Sequence, residues 1–74
     1  MLLSSKAIVL KSFPYSNTSI ISRLYTEDYG KVSVMAKGAR RPKNPLASTL
    51  EPLNGIQVNY FSKESRSLQN LKEA

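Results

Sequence analysis

Apolar and polar residues alternate with a period of two along most of the chain, which predicts strands rather than helices. Ser5 to Phe13 is the first such stretch: Ile8 and Leu10 point one way, Ala7 and Val9 the other. Apolar residues on both faces predict a strand buried on both sides, as where one bent strand serves two sheets. Pro14-Tyr15-Ser16-Asn17-Thr18 predicts a turn, because proline cannot donate to a ladder and Asn and Ser bond their own backbone. Ser19 to Thr26 is a second strand, with Ile20, Ser22 and Leu24 on one face and Ile21, Arg23 and Tyr25 on the other. Glu27-Asp28-Tyr29-Gly30 closes a hairpin in which Gly30 is free to take positive φ. Lys31 to Lys37 is the clearest strand, with Val32, Val34 and Ala36 inward and Lys31, Ser33, Met35 and Lys37 outward.

The alternation stops between Gly38 and Asn54, where three of the four prolines lie. Asn44 followed by Pro45 predicts a helix cap and first helical position, opening a turn or two through Ala47 and Leu50 that Pro52 ends. Gly55 to Phe61 is a fourth strand, with Ile56, Val58 and Tyr60 sharing a face. Ser62 to Ser67 is a polar loop, and Leu68 opens a fifth strand that has barely begun when the chain stops. The order is three strands, an irregular crossover with a short helix, then two strands. Five antiparallel strands of this size close most economically into a small barrel, and the OB-fold has this order with its helix or loop between the third and fourth strands. An SH3-like barrel is the competitor, but its long loop falls earlier. The expected fold is therefore an all-β, five-stranded antiparallel OB-fold barrel over residues 1–74. A chain of 74 residues leaves room for one domain only. Domains this small bury little surface, so the chain is either a closed, efficient barrel or one piece of something longer.

Composition narrows the chemistry. There is no cysteine and no histidine, which removes disulfides, thiolate metal sites and the side chain best suited to proton transfer at neutral pH. Glu27 and Asp28 are neighbours in a turn and diverge, the other acids stand singly, no serine lies in a nucleophile-elbow pattern, and Gly30, Gly38 and Gly55 are too far apart to cradle a phosphate. The expectation is a protein that is not an enzyme by itself, needs no cofactor and holds no metal. The amino-terminal stretch has two lysines among its apolar residues and reads as neither signal peptide nor membrane span, so a cytoplasmic location is expected. Asn17-Thr18-Ser19 matches a glycosylation acceptor by chance.

Charge changes the picture most. Eleven Lys and Arg against five Asp and Glu leave a net charge of +6, with a pI near 9.9, which favours a polyanionic partner: nucleic acid first, an anionic membrane second. No acid falls between Asp28 and Glu51, whereas Lys31, Lys37, Arg40, Arg41 and Lys43 all do. Gly38 and Ala39 let the chain leave the third strand without bulk, and Pro42 and Pro45 stiffen it, so the cations sit on a short arm at one end of the barrel. Arginine offers phosphate a planar fork and lysine a point charge. The helix start at Pro45 is expected to add free N–H groups to the same anion site. Four neutralised phosphates give a log–log salt slope of about −2.8 on single strands and about −3.6 on duplex. Tyr15, Tyr25, Tyr29 and Phe61 are candidate stacking platforms, while Tyr60 and Phe13 are expected to fill the barrel.

Ala7-Ile8-Val9-Leu10-Lys11, Tyr15-Ser16, Leu24-Tyr25-Thr26-Glu27-Asp28-Tyr29-Gly30-Lys31, Ala36-Lys37-Gly38-Ala39-Arg40-Arg41-Pro42-Lys43 and Glu51-Pro52-Leu53 together resemble the amino-terminal domain of the RecO family of bacterial DNA repair proteins. The resemblance extends over almost the whole chain. It implies an OB-fold domain of a cytoplasmic, nucleoid-associated recombination mediator. Such proteins bind single- and double-stranded DNA, anneal complementary strands, and work with RecR and the single-stranded DNA-binding protein to load the RecA recombinase. DNA contact is carried over onto Lys37, Arg40, Arg41 and Lys43, with Arg23 and Lys31 as secondary members. The family's first turn usually carries an acid where this chain has Asn17-Thr18-Ser19, and its members continue into a helical domain, often with a zinc-binding insert, that these residues do not include. Two other readings stay open: an interaction module whose basic loop docks on an acidic partner or on RecR, and an RNA-binding small barrel.

Overall fold

The structure is a computed structural model and describes every residue except Lys43, Glu64 and Arg66. Its elements in chain order are β1 (Leu2–Tyr15), β2 (Ser19–Thr26), β3 (Gly30–Ala36), α1 (Leu46–Thr49), β4 (Gly55–Phe61) and β5 (Leu68–Glu73). The strands close into a barrel in the order β1-β2-β3-β5-β4, with α1 between the third and fourth strands, the OB-fold arrangement the sequence predicts. Four pairings are antiparallel, and the closing β3–β5 pair is parallel. The expected five-stranded OB-fold barrel is thus present, antiparallel except at this one pair. A closed ring with an odd number of strands cannot alternate direction all the way round.

β1 is the strand on which closure depends. Its first half pairs with β4 from Leu2↔Phe61 to Ile8↔Gly55, and its second half pairs with β2 from Ala7↔Thr26 to Tyr15↔Ser19. The register slips between Val9 and Lys11, leaving Leu10 as a bulge; such an extra residue bends a strand and increases its twist. The bulge also changes which residues face inward. Ser5, Ala7 and Val9 are buried before it, whereas Ser12 is the inward residue after it, bonded to the fully buried Ser22 (Oγ to Oγ, 2.7 Å) and to the carbonyl of Leu50. One bent strand serving two partners is thus as expected, but burial on both sides is not. Ile8 and Leu10 are about half exposed, at 51% and 43%, because the outer side of β1 faces no second layer. Pro14 is also in β1, opposite Ile20, rather than in the turn. Here β1 is paired with β2 on one side only, the kind of edge position at which a strand tolerates proline.

The core is the inner row of the barrel: Val9, Leu24, Val34 and Val58 have no exposed surface, and Tyr60 and Ala36 have almost none. Leu50, just after α1, and Ala39, in the crossover, are also fully buried, so the segment joining β3 to β4 contributes to the core. Each large core side chain matters in so small a domain, where truncation to alanine typically costs about 2–5 kcal/mol. β5 is complete enough to close the ring: Leu68, Gln69 and Asn70 pair with β3, and Asn70, Leu71 and Glu73 pair with β4.

Candidate nucleic-acid interface

The basic crossover begins where Gly38, with φ of +75°, turns the chain away from β3. Ala39 is fully buried, which only a small side chain at this turn allows, and its burial fixes the residues on either side. The Arg40 backbone N–H donates to the Thr18 carbonyl at 2.9 Å, and its guanidinium Nη1 donates to the Ser16 carbonyl at 2.8 Å. Arg40 is therefore fastened to the β1–β2 turn by main chain and side chain together. One N–H of its fork is used there, and the fork has others to offer an anion. Asn44 ties off the far end of the arm. Its Nδ2 donates to the Gly38 carbonyl at 3.0 Å, and its Oδ1 accepts the Leu46 N–H at 2.9 Å.

That last bond corrects one expectation. The Asn44 carboxamide caps α1 from one residue before Pro45, the structural N-cap, and α1 has only 4 residues. The helix start is too short, and its first N–H too occupied, to add an anion site.

Lys37, Arg40 and Arg41 are exposed and share the barrel end that carries the β1–β2 turn. Lys43 lies outside the described residues. Arg23 and Lys31 lie elsewhere, on the outer face of the sheet. Lys31 and Lys37 fall at opposite ends of the outward row of β3, roughly 20 Å apart at the usual rise per strand residue. Arg23 and Lys31 help line a groove of about 570 Å³ with Ser33 of β3, Ser67 before β5, and Lys11. Lys11 is the residue that the sequence reading missed. It stands directly opposite Arg23 in the β1–β2 register, and its Nζ sits 6.0 Å from the centre of the Phe13 ring, a weak cation–π distance. Among the described residues none of these lysines and arginines is ion-paired with a carboxylate.

The rings divide as the sequence suggests at Tyr60 but not at Phe13. Tyr60 is buried and meets Tyr29 edge to face, with centroids 6.3 Å apart and planes at 88°. Tyr15, Tyr25, Tyr29 and Phe61 are all about half exposed, from 44% to 55%. Phe13 is half-buried rather than a filler of the barrel centre.

A closed five-strand barrel with basic residues on its crossover and outer sheet face is a fold with many possible duties, and comparison with known proteins decides among families. The family model for the N-terminal region of recombination protein O matches residues 1–74. The chain belongs to the RecO family. It is 50% identical over 70 residues to the DNA repair protein RecO of Salinibacter ruber, covering 95% of this chain and 27% of that one. It is 40% identical over 68 residues to RecO of Rhodopirellula baltica, covering 92% and 25% respectively. With RecO of Pelodictyon phaeoclathratiforme the identity is 35% over 69 residues, covering 93% and 26%. The chain is thus the RecO N-terminal domain and spans about a quarter of the length of these relatives. Among the described residues no helix is long and apolar enough to cross a membrane.

Proposed function

We propose that this RecO N-terminal domain binds single- and double-stranded DNA through backbone phosphates, and that in the full protein this contact serves strand annealing and, with RecR, the loading of RecA, beside single-stranded DNA-binding protein at gaps and breaks. The observation that carries the reading is the fastened arm. Arg40 is held to Ser16 and Thr18 while Lys37 and Arg41 stay exposed beside it, so three charges are presented at one barrel end without an acid in their stretch of sequence. Lys43, in the same run, is assigned to the same contact. Arg23 and Lys31 extend it along the sheet. Phosphate contacts fix position and carry no sequence information, which suits a repair protein acting wherever a strand is exposed. The domain is assigned no catalytic step.

The test is a salt titration of binding to a fluorescent oligonucleotide. Replacing Arg40 and Arg41 together by alanine should flatten the log–log slope by about two units, with a proportionate loss of affinity at low salt. An unchanged slope rejects this arm as the contact. Capture of an acidic protein partner with no oligonucleotide shift would make the domain an interaction module. Preference for RNA over a matched DNA strand would move it to RNA binding, because the 2′-hydroxyl is the distinguishing group.

A further inference from the structure

An asparagine holds α1 at each of its ends. Asn44 accepts the Leu46 N–H at the start, and Asn54 closes the other end: its carboxamide Nδ2 donates to the carbonyls of Ser48 at 3.0 Å and Thr49 at 3.2 Å. These belong to the last turn, whose carbonyls have no partner further along the helix. Asn54 is also where the crossover rejoins the barrel, since its own carbonyl accepts the Val9 N–H at 3.0 Å. It is exposed, and Gly55 follows it. The other asparagines have different successors: Thr18 after Asn17, Pro45 after Asn44, Tyr60 after Asn59 and Leu71 after Asn70. Proline has no N–H, and Thr, Tyr and Leu crowd their own backbone nitrogen. Gly55 alone offers the preceding carboxamide a nitrogen with no Cβ beside it. That nitrogen is also free of the β1–β4 ladder. Val9 turns both its N–H and its carbonyl toward this segment, bonding Asn54 and Leu53. Its neighbour Ile8 turns the other way, so Ile8↔Gly55 is a non-hydrogen-bonded pair.

We infer that Asn54–Gly55 is a site of spontaneous deamidation, and that the reaction unclasps α1 from the end of the crossover. The Gly55 backbone nitrogen attacks Cγ of Asn54. A Cγ–N bond forms, the Cγ–Nδ2 bond breaks, and Nδ2 leaves as ammonia with the proton that Gly55 gives up. Water then opens the cyclic imide at either carbonyl. One opening leaves aspartate; the other leaves isoaspartate, with the main chain rerouted through the side chain. Water is the only co-reactant, and nothing is oxidised or reduced. The bonds to Ser48 and Thr49 must break before the carboxamide can turn toward Gly55, so conversion runs through local openings of the end of α1. The product cannot restore what it has lost. A carboxylate has no N–H to donate, and its charge would face two carbonyl oxygens where the carboxamide was bonded. The segment released follows directly on the arm that bears Lys37, Arg40 and Arg41, whereas the bonds of Arg40 to the β1–β2 turn are untouched.

The experiment ages the chain in neutral and mildly alkaline buffer and follows the peptide containing Asn54 by mass spectrometry. The wild type should accumulate aspartate and isoaspartate at residue 54. Conversion should quicken as pH rises, because the Gly55 nitrogen must lose its proton, and quicken again in denaturant, where the bonds to α1 are gone. Gly55→Ala is the control. A Cβ at Gly55 meets no heavy atom within 4 Å, and the backbone there is not in the left-handed region, so the variant keeps the fold while its methyl group obstructs attack. It should stay unmodified over the period that converts the wild type. Asn54→Asp stands for the product. In it, hydrogen exchange of the Thr49 and Leu50 amides, which bond back to Pro45 and Leu46, should quicken by about 5- to 30-fold, as expected for the loss of ordinary hydrogen bonds. The amides of the β2–β3 ladder should keep wild-type protection. Equal conversion in Gly55→Ala and the wild type, or conversion confined to denaturant, overturns the site. Wild-type protection of Thr49 and Leu50 in Asn54→Asp, or exchange quickened equally throughout the barrel, overturns the local unclasping.

Discussion

Lys11 stands directly across the β1–β2 ladder from Arg23, and it does so because Leu10 is bulged out of that ladder. Strict alternation from Ala7 and Val9 would carry Lys11 to the inside of the barrel, where an unpaired ammonium is prohibitive. The extra residue turns it outward and places its charge beside Arg23 and near Lys31, in the groove the three help line. A single backbone irregularity thus bends β1 to serve two partners and completes a cationic row.

Replacing Lys11 by alanine should flatten the log–log salt slope of single-strand binding by about one unit and leave thermal stability nearly unchanged, since the side chain is exposed. Lys11 and Ser16, to which Arg40 is fastened, are separated by roughly 16 Å of strand. The Lys11→Ala and Arg40→Ala effects on binding should then add. A slope unaltered by Lys11→Ala would remove the groove from the contact and confine it to the crossover arm.

How much of this was legible in the sequence depended on whether one face of a strand is buried. β2 and β4 have the bounds that alternation predicts, Ser19–Thr26 and Gly55–Phe61, and β3 differs only at its ends. In β3 and β4 inward Val, Ala or Tyr alternates with mostly polar outward residues, so pattern and burial coincide, whereas in β2 the period of two holds although Ser22 and Thr26 are buried and Tyr25 is exposed. β1 did not yield in the same way. Its apolar residues fall on both faces, and the slip at Leu10 that resolves them arises from the demands of two ladders at once. Likewise β5 reads as a fragment because its closing partners, Ser33 to Met35 of β3, lie far away in sequence. The crossover was recognised from Gly38 and its prolines, yet the bonds that anchor Arg40 run to carbonyls of Ser16 and Thr18, and composition carries no trace of a backbone carbonyl's position.

The β2–β3 hairpin depends on a buried hydroxyl. Thr26 is 1% exposed; its Oγ1 accepts the Tyr29 N–H at 2.9 Å and donates to the Gly30 carbonyl at 2.7 Å, while Gly30 adopts φ of +69°. Thr26→Val keeps the shape and removes both bonds, leaving groups in a tight turn without their partner. The expected loss is about 1–3 kcal/mol, read as a fall in thermal midpoint of at least about 4 °C for a domain of this size. Thr26→Ser should recover most of it. A midpoint as high as the wild type's in Thr26→Val would mean that water satisfies the turn and that the hydroxyl is dispensable.

Tyr60 should make the barrel sensitive to alkali. Burial pushes its phenol above the ordinary value of 10.0, and the neighbouring Tyr29 acts in the same direction. The neutral ring is the form the folded barrel accepts, whereas in the unfolded chain the phenol ionises at its ordinary pKa. Below pH 10 both states hold the proton, and the stabilisation from burying the neutral ring is fully present. Above that, the unfolded chain releases the proton first, so stability falls as pH rises until the folded-state pKa is passed. Thermal melts at stepped pH should therefore show a midpoint that declines on the alkaline side more steeply in the wild type than in Tyr60→Phe, which keeps the ring and cannot ionise. An identical decline in both proteins would place the alkaline sensitivity elsewhere and leave the buried phenol without a part in it.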